Sequence, residues 1–114
     1  MPLELFAGIY VRDFEAAQAW YVRVLGSEPT FLASDTEAVW ELGEHRYLYI
    51  QQNAQHAGHA IQTILVDDLD VCVDRITERG IEPVKRETYP DGMRKVLYRD
   101  PDGNEIGYGG APSS

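Results

Sequence analysis

The residues of this sequence that could do covalent or metal chemistry are few and widely separated. The 114-residue chain has one cysteine and three histidines. Cys72 falls on the apolar stripe of a predicted helix, which is typical of a small buried side chain, and a buried thiol without a cationic neighbour is unreactive. His45 is expected at a hairpin tip, and His56 and His59 in a loop, where solvated imidazoles are common. The sequence has no nucleophile elbow, phosphate loop or dinucleotide fingerprint.

Aromatic residues are a more prominent chemical feature than nucleophiles. Seven tyrosines, three phenylalanines and two tryptophans occur in the chain, and Trp40, Tyr47 and Tyr49 lie close together along it. An aromatic ring can stack on a planar or cationic group, with a gain of about 0.5 to 2 kcal/mol for each contact. The same rings could instead fill a core or a subunit interface.

The elements that must position these rings are predicted by an internal repeat. Residues 11–15 and 66–70 share one pattern, an apolar strand end followed by an acidic helix start. Asp13 and Asp68 are the predicted helix caps, and Gly26 and Gly80 follow the two predicted helices. Each helix precedes three short extended runs separated by turn residues. The predicted runs are 29–33, 37–42 and 46–52 in the first half and 81–88, 93–99 and 104–109 in the second.

Each half is therefore predicted to be a βαβββ module, which makes the fold class α+β. Module one is assigned to 3–52, a polar linker to 53–58 and module two to 59–110. Together they form one predicted domain, 1–110, followed by a loose tail, 111–114.

The order of four short motifs resembles one known family. The motifs are a strand ending Val11-Arg12-Asp13, the pair Trp20-Tyr21 before Leu25-Gly26, a second Val-Asp-Asp-Leu-Asp at 66–70, and Asp100-Pro101-Asp102-Gly103-Asn104. Over residues 3–109 the chain is similar to the vicinal oxygen chelate superfamily of glyoxalases, bleomycin-resistance proteins and dioxygenases. The resemblance implies two βαβββ modules whose mixed sheets curl into a cleft, often completed in a homodimer.

Strand alternation predicts which residues line this cleft. The odd-numbered residues of 5–11 are expected to pack on the helix, so Phe6 and Tyr10 face the cleft. A hairpin that pairs Leu42 with Tyr47 adds Trp40, and the repeat extends the prediction to module two. Lys95 could bind an anionic group or pair with an acid such as Glu105. The predicted ligand-binding residues are Phe6, Tyr10, Trp40, Tyr47, Tyr49, Gln51, Ile61, Thr63, Met93, Lys95, Leu97 and Gly107.

The resemblance also implies where catalytic relatives hold a divalent metal. The corresponding positions here are Phe6, Gln51, Ile61 and Gly107. A metal needs several N, O or S donors, and phenylalanine, isoleucine and glycine have none in their side chains. We therefore expect neither a metal at the usual site nor any cofactor. A displaced site made by Glu4, His59 and Glu105 is the alternative.

Charge narrows the range of partners. The formal net charge is −9, and such a charge repels nucleic acid. It could raise the local concentration of a cationic small molecule, or it could serve only to keep the protein soluble. The start of the chain does not resemble a signal peptide, and no apolar run is long enough for a membrane span. We expect a cytoplasmic protein.

These observations favour a metal-independent binding protein of the bleomycin-resistance type. Such an antibiotic-binding protein would hold an aromatic or cationic natural product in an aromatic cleft of a homodimer. Two alternatives remain: a metal-dependent lyase, isomerase or dioxygenase, and a non-catalytic interaction module. Whether the protein is an enzyme stays open, with the missing donors weighing against it.

Overall fold

The chain repeats one βαβββ module twice, as a computed structural model of the protein shows for residues 3–112. Module one contains β1 (Leu5–Val11), α1 (Phe14–Leu25), β2 (Phe31–Ser34), β3 (Glu37–Gly43) and β4 (Arg46–Gln52). Module two contains β5 (Ile61–Leu65), α2 (Leu69–Glu78), β6 (Lys85–Thr88), β7 (Arg94–Arg99) and β8 (Glu105–Gly110). The predicted α+β fold class is confirmed. The predicted tail, 111–114, lies partly outside the described residues.

Both modules build the same four-stranded mixed sheet. The strand order is β1-β4-β3-β2 in module one and β5-β8-β7-β6 in module two. The first and last strands of each module pair in parallel, and the other neighbours are antiparallel. A parallel pair needs a long crossover between its strands, and here the helix and two strands supply it. The repeat therefore places equivalent residues at equivalent points of the two sheets.

Aspartate caps begin both helices, as the sequence predicts. The Asp13 carboxylate accepts a hydrogen bond from the Ala16 N–H at 3.2 Å, and Asp68 accepts one from Val71 at 3.1 Å. Gly26 ends α1 with φ of +87°, a left-handed conformation that favours glycine. Within residues 3–112, neither helix is long and apolar enough to cross a membrane.

The helices and one face of each sheet enclose a single core. Trp20 and Tyr21 of α1 and Ile76 of α2 belong to the same buried cluster as Tyr98 and Tyr108 of the second sheet. Ile9 and Val11 join it, but Leu5, which was also expected to pack on a helix, is 65% exposed. That expectation is wrong because the core cluster takes up only the last part of the helix-side face of β1.

Trp40 lies in this core, so its predicted place in the cleft is wrong. The prediction paired Leu42 with Tyr47, whereas the structure pairs Glu41 with Tyr47 and has a register shift between Glu41 and Gly43. A shift of one residue moves every following side chain to the opposite face of a sheet. Trp40 is consequently only 1% exposed.

Three core tyrosines differ in what their hydroxyl groups contact. Tyr21 donates to Asp100 Oδ2 at 2.9 Å, and Tyr108 donates to the Val24 carbonyl at 2.9 Å. The buried hydroxyl of Tyr98 has no hydrogen-bond partner among residues 3–112. A buried polar group without a partner lowers stability.

Removing the Tyr98 hydroxyl is therefore expected to raise the free energy of unfolding. We expect Tyr98→Phe to gain about 1 kcal/mol and Tyr108→Phe, the matched control, to lose about 1 kcal/mol. Urea denaturation of the two variants beside the unmodified protein measures both changes. Equal losses in the two variants would contradict the assignment.

Candidate functional site

Each sheet has one face covered by a helix and one face that is open. On the open side Phe6 is 46% exposed and Ile61 is 67% exposed, whereas Ile9 on the covered side is 2% exposed. The described molecule measures 44 × 37 × 24 Å, so its short dimension fits one helix layer on one sheet layer. Open face one carries Phe6, Gly8, Tyr10, Tyr47, Tyr49 and Gln51. Open face two carries Ile61, Thr63, Lys95, Leu97, Gly107 and Gly109.

A row of aromatic rings covers open face one. The rings of Phe6 and Tyr47 stack with centroids 4.3 Å apart and planes 7° apart. The Tyr49 ring lies over Gly8, since a Cβ at that glycine would be only 2.5 Å from the Tyr49 Cζ. Tyr10 follows on the same face of β1. The row therefore gathers four aromatic rings on one sheet face, where a planar molecule can contact them.

Carboxylates border this aromatic row. Glu41 lies opposite Tyr47 and Glu37 lies opposite Gln51, and cross-strand partners share a face. Partial desolvation, together with the Glu41 carboxylate, raises the pKa of the Tyr47 phenol. Open face one therefore combines ring faces with negative charge, a combination suited to aromatic and cationic groups.

The strand register puts Thr63, Leu97 and Gly107 on open face two, where Leu97 is only 6% exposed. Gly107 pairs with Thr63 on one side and with Leu97 on the other. The Lys95 side chain lies over Gly107. Met93 precedes the first residue of β7, and its carbonyl accepts a hydrogen bond from the Tyr89 N–H at 2.8 Å. Met93 therefore belongs to the turn before this face.

The two open faces carry the four positions at which, as the resemblance implies, catalytic relatives hold a metal. Phe6 and Gln51 lie on open face one, and Ile61 and Gly107 lie on open face two. Only the Gln51 amide offers a donor atom, and one amide oxygen cannot replace the several donors that a divalent ion requires. A metal does not fit these positions.

The displaced site also fails to assemble within the chain. Glu4 lies against His45, with Oε1 and Nδ1 3.5 Å apart, and Glu105 lies against Arg99 at 3.5 Å. Among residues 3–112, no group of three or more His, Cys, Asp or Glu side chains is arranged to hold a metal ion. The structure does not bring Glu4, His59 and Glu105 together.

Sequence reasoning missed a groove between the two modules. The groove has a volume of about 410 Å³, and two residues predicted to bind ligand, Tyr47 and Thr63, line it from different modules. Its apolar lining includes Leu5, Leu42 and Leu65, whose side chains are exposed. All three leucines lie in strands, where apolar residues usually belong to the core, so the sequence around them does not distinguish them from core residues.

Comparison with known proteins gives one family and many related folds. The profile of the family described as Glyoxalase/Bleomycin resistance protein/Dioxygenase superfamily matches residues 5–108. A glyoxalase/bleomycin resistance protein from Catenulispora acidiphila is 56% identical, with a TM-score of 0.94 over 97% of this chain and 100% of its own. No curated protein matches the chain significantly.

Two more distant structures share the fold alone. TnmS3, an antibiotic binding protein from a Streptomyces species, is 24% identical with a TM-score of 0.74 over 99% of this chain and 98% of its own. A lactoylglutathione lyase from Agrobacterium tumefaciens is 22% identical with a TM-score of 0.76 over 93% of this chain and 91% of its own.

Proposed function

The chain belongs to the Glyoxalase/Bleomycin resistance protein/Dioxygenase superfamily, and on that basis we propose that it is a metal-independent small-molecule-binding protein. The ligand is an aromatic or cationic natural product that stacks on the ring row of open face one. One observation carries this proposal. Open face one presents a row of aromatic rings, whereas three of the four positions at which catalytic relatives hold a metal have no donor atom in their side chains. A relative with the same fold, TnmS3, is an antibiotic binding protein, which supports a binding role for this architecture.

The arrangement of Tyr49 is the most specific feature of the proposed site. Its ring is half-buried and rests on β1 because position 8 is a glycine. A ring held flat needs little further ordering when a ligand binds, so less conformational entropy is lost. The acidic residues Glu37 and Glu41 steer cationic ligands toward the row.

A second copy of the chain completes the proposed site. Open apolar residues such as Phe6, Ile61 and Leu65 form surfaces of the kind that subunit contacts cover. We propose a cytoplasmic homodimer of one domain, 1–110, in which each ligand lies in a cleft between open faces.

Two fluorescent probes test the binding function without knowledge of the natural ligand. N-phenylnaphthylamine is aromatic and neutral, and ethidium is planar and cationic. We expect at least one of them to bind with an affinity that EDTA does not change. Tyr49→Leu is expected to weaken that binding about fivefold, because one stacking contact contributes about 1 kcal/mol.

Tyr89→Leu is the control for the change of residue type, since Tyr89 lies in module two, before the turn that precedes β7. This control should bind both probes as the unmodified protein does. If neither probe binds, the proposal fails. Binding that EDTA abolishes and Zn²⁺ or Ni²⁺ restores would favour a metal-dependent enzyme instead.

A further inference from the structure

One cation on open face two is held in a particular place by a glycine. Lys95 is half-buried, and a Cβ at Gly107 would lie 2.6 Å from the Lys95 Cε. The lysine stem therefore crosses β8 in space that any other residue at position 107 would occupy. This packing directs the side chain toward the middle of the sheet and away from β6.

The carboxylates nearest in register to Lys95 are engaged with other cations. Glu87 lies directly opposite Lys95 across β6 and β7. Its carboxylate nevertheless pairs with Lys85 at 3.4 Å and accepts a hydrogen bond from the Tyr89 hydroxyl at 3.3 Å.

The remaining acid of the face is engaged in the same way. Glu105, the alternative partner for Lys95, pairs with Arg99 at 3.5 Å. Within residues 3–112, no carboxylate oxygen lies within 4.0 Å of the Lys95 ammonium. The charges of Lys85 and Arg99 are thus compensated locally, whereas the charge of Lys95 is not.

We propose that Lys95 is the binding residue for an acidic group on the ligand. This inference rests on the proposed binding function and narrows its ligand class to aromatic compounds that carry a carboxylate, sulfonate or phosphate. An ammonium forms charge-assisted hydrogen bonds with an acidic group, and these are stronger than neutral ones. The acidic groups Glu37 and Glu41 belong to module one, and neither pairs with Lys95 within residues 3–112. The proposed ligand places its rings on module one and its acidic group on Lys95.

Two probes that differ by one acidic group test the assignment. Anilinonaphthalenesulfonate is N-phenylnaphthylamine with an added sulfonate, so the ring contacts of the two molecules are equivalent. Both probes are titrated into the unmodified protein and into Lys95→Met, which keeps the length and apolar character of the stem. We expect Lys95→Met to weaken sulfonate binding about tenfold or more and to leave the binding of the neutral probe unchanged.

Lys85→Met is the matched control, because it removes a cation of the same face that already has a carboxylate partner. It should change sulfonate binding less than twofold, whereas Lys95→Arg should restore most of the affinity lost in Lys95→Met.

Equal sulfonate binding by Lys95→Met and the unmodified protein would overturn the inference while leaving the binding function intact. A change in sedimentation velocity of Lys95→Met without loss of sulfonate affinity would also overturn it, because Lys95 would then pair with a second subunit. Absence of sulfonate binding by the unmodified protein would defeat this inference, whereas the binding function fails only if N-phenylnaphthylamine and ethidium do not bind either.

Discussion

Replacing Asn104 with alanine is expected to lower the free energy of unfolding by about 3 to 5 kcal/mol. Asn104 is 1% exposed. Its side chain accepts a hydrogen bond from the Ala60 N–H at 2.9 Å and donates to the Tyr10 carbonyl at 2.9 Å and to Asp100 Oδ2 at 2.8 Å. Alanine would remove all three hydrogen bonds, and each buried group left without a partner costs about 1 to 3 kcal/mol. Urea denaturation followed by circular dichroism measures the change.

Asn53→Ala is the control for this prediction. Among residues 3–112 the Asn53 side chain has one hydrogen bond, a local one that it accepts from the His56 N–H at 3.2 Å. We expect Asn53→Ala to lose less than about 1 kcal/mol. Asn104→Asp should be as harmful as alanine, because it cannot donate to the Tyr10 carbonyl and places a second charge beside Asp100. A loss in Asn104→Ala no larger than in Asn53→Ala would contradict the assigned role.

The physical reason for so large an effect is that Asn104 joins the two modules. Tyr10 lies in the first strand of module one, and Ala60 directly precedes the first strand of module two. Asp100 is 5% exposed and holds the Asn104 side chain in place. Its carboxylate accepts hydrogen bonds from the Asn104 N–H and side-chain amide, and also from the Tyr21 hydroxyl and the Asp102 N–H. The turn at 100–104 therefore sets how the two open faces lie relative to each other.

Sequence patterns predicted the features that depend on residues close together in the chain. Alternating apolar residues, aspartate caps and a repeated motif predicted the βαβββ modules, and the same alternation correctly placed Tyr47 and Tyr49 on one face. Asp-Pro-Asp-Gly predicted a turn but not its contacts with the rest of the chain, since Tyr21, Ala60 and Tyr10 lie at least forty residues away from it.

Trp40 shows where local reasoning fails. The alternation along β3 is real, but one irregular residue near the hairpin determines which face each side chain joins. A bulge has no strong sequence signal, so the sequence placed Trp40 and Tyr49 together although they lie on opposite faces. For the candidate site this matters, because Trp40 fluorescence would report on the core and not on a ligand at open face one.

The free energy of unfolding is expected to fall steeply above pH 10. Burial, and then the Asp100 carboxylate, raises the pKa of Tyr21, and burial raises the pKa of Tyr108. Burial also raises the pKa of Tyr98 to about 12. In the unfolded chain these phenols release their protons near pH 10, whereas the folded protein keeps them. The unfolded state then binds fewer protons, so stabilisation that is complete below pH 10 is lost as the pH rises.

Each of the three buried phenols contributes a loss of about 1.4 kcal/mol per pH unit above its unfolded pKa, so about 4 kcal/mol should disappear between pH 8 and pH 11. Urea denaturation at these two pH values gives the total. Tyr108→Phe should lose about 1.4 kcal/mol less over the same interval, because phenylalanine has no proton to release. If Tyr108→Phe and the unmodified protein had the same pH dependence, the Tyr108 hydroxyl could not be a buried proton donor to the end of α1, and the packing of module two against that helix would need to be revised.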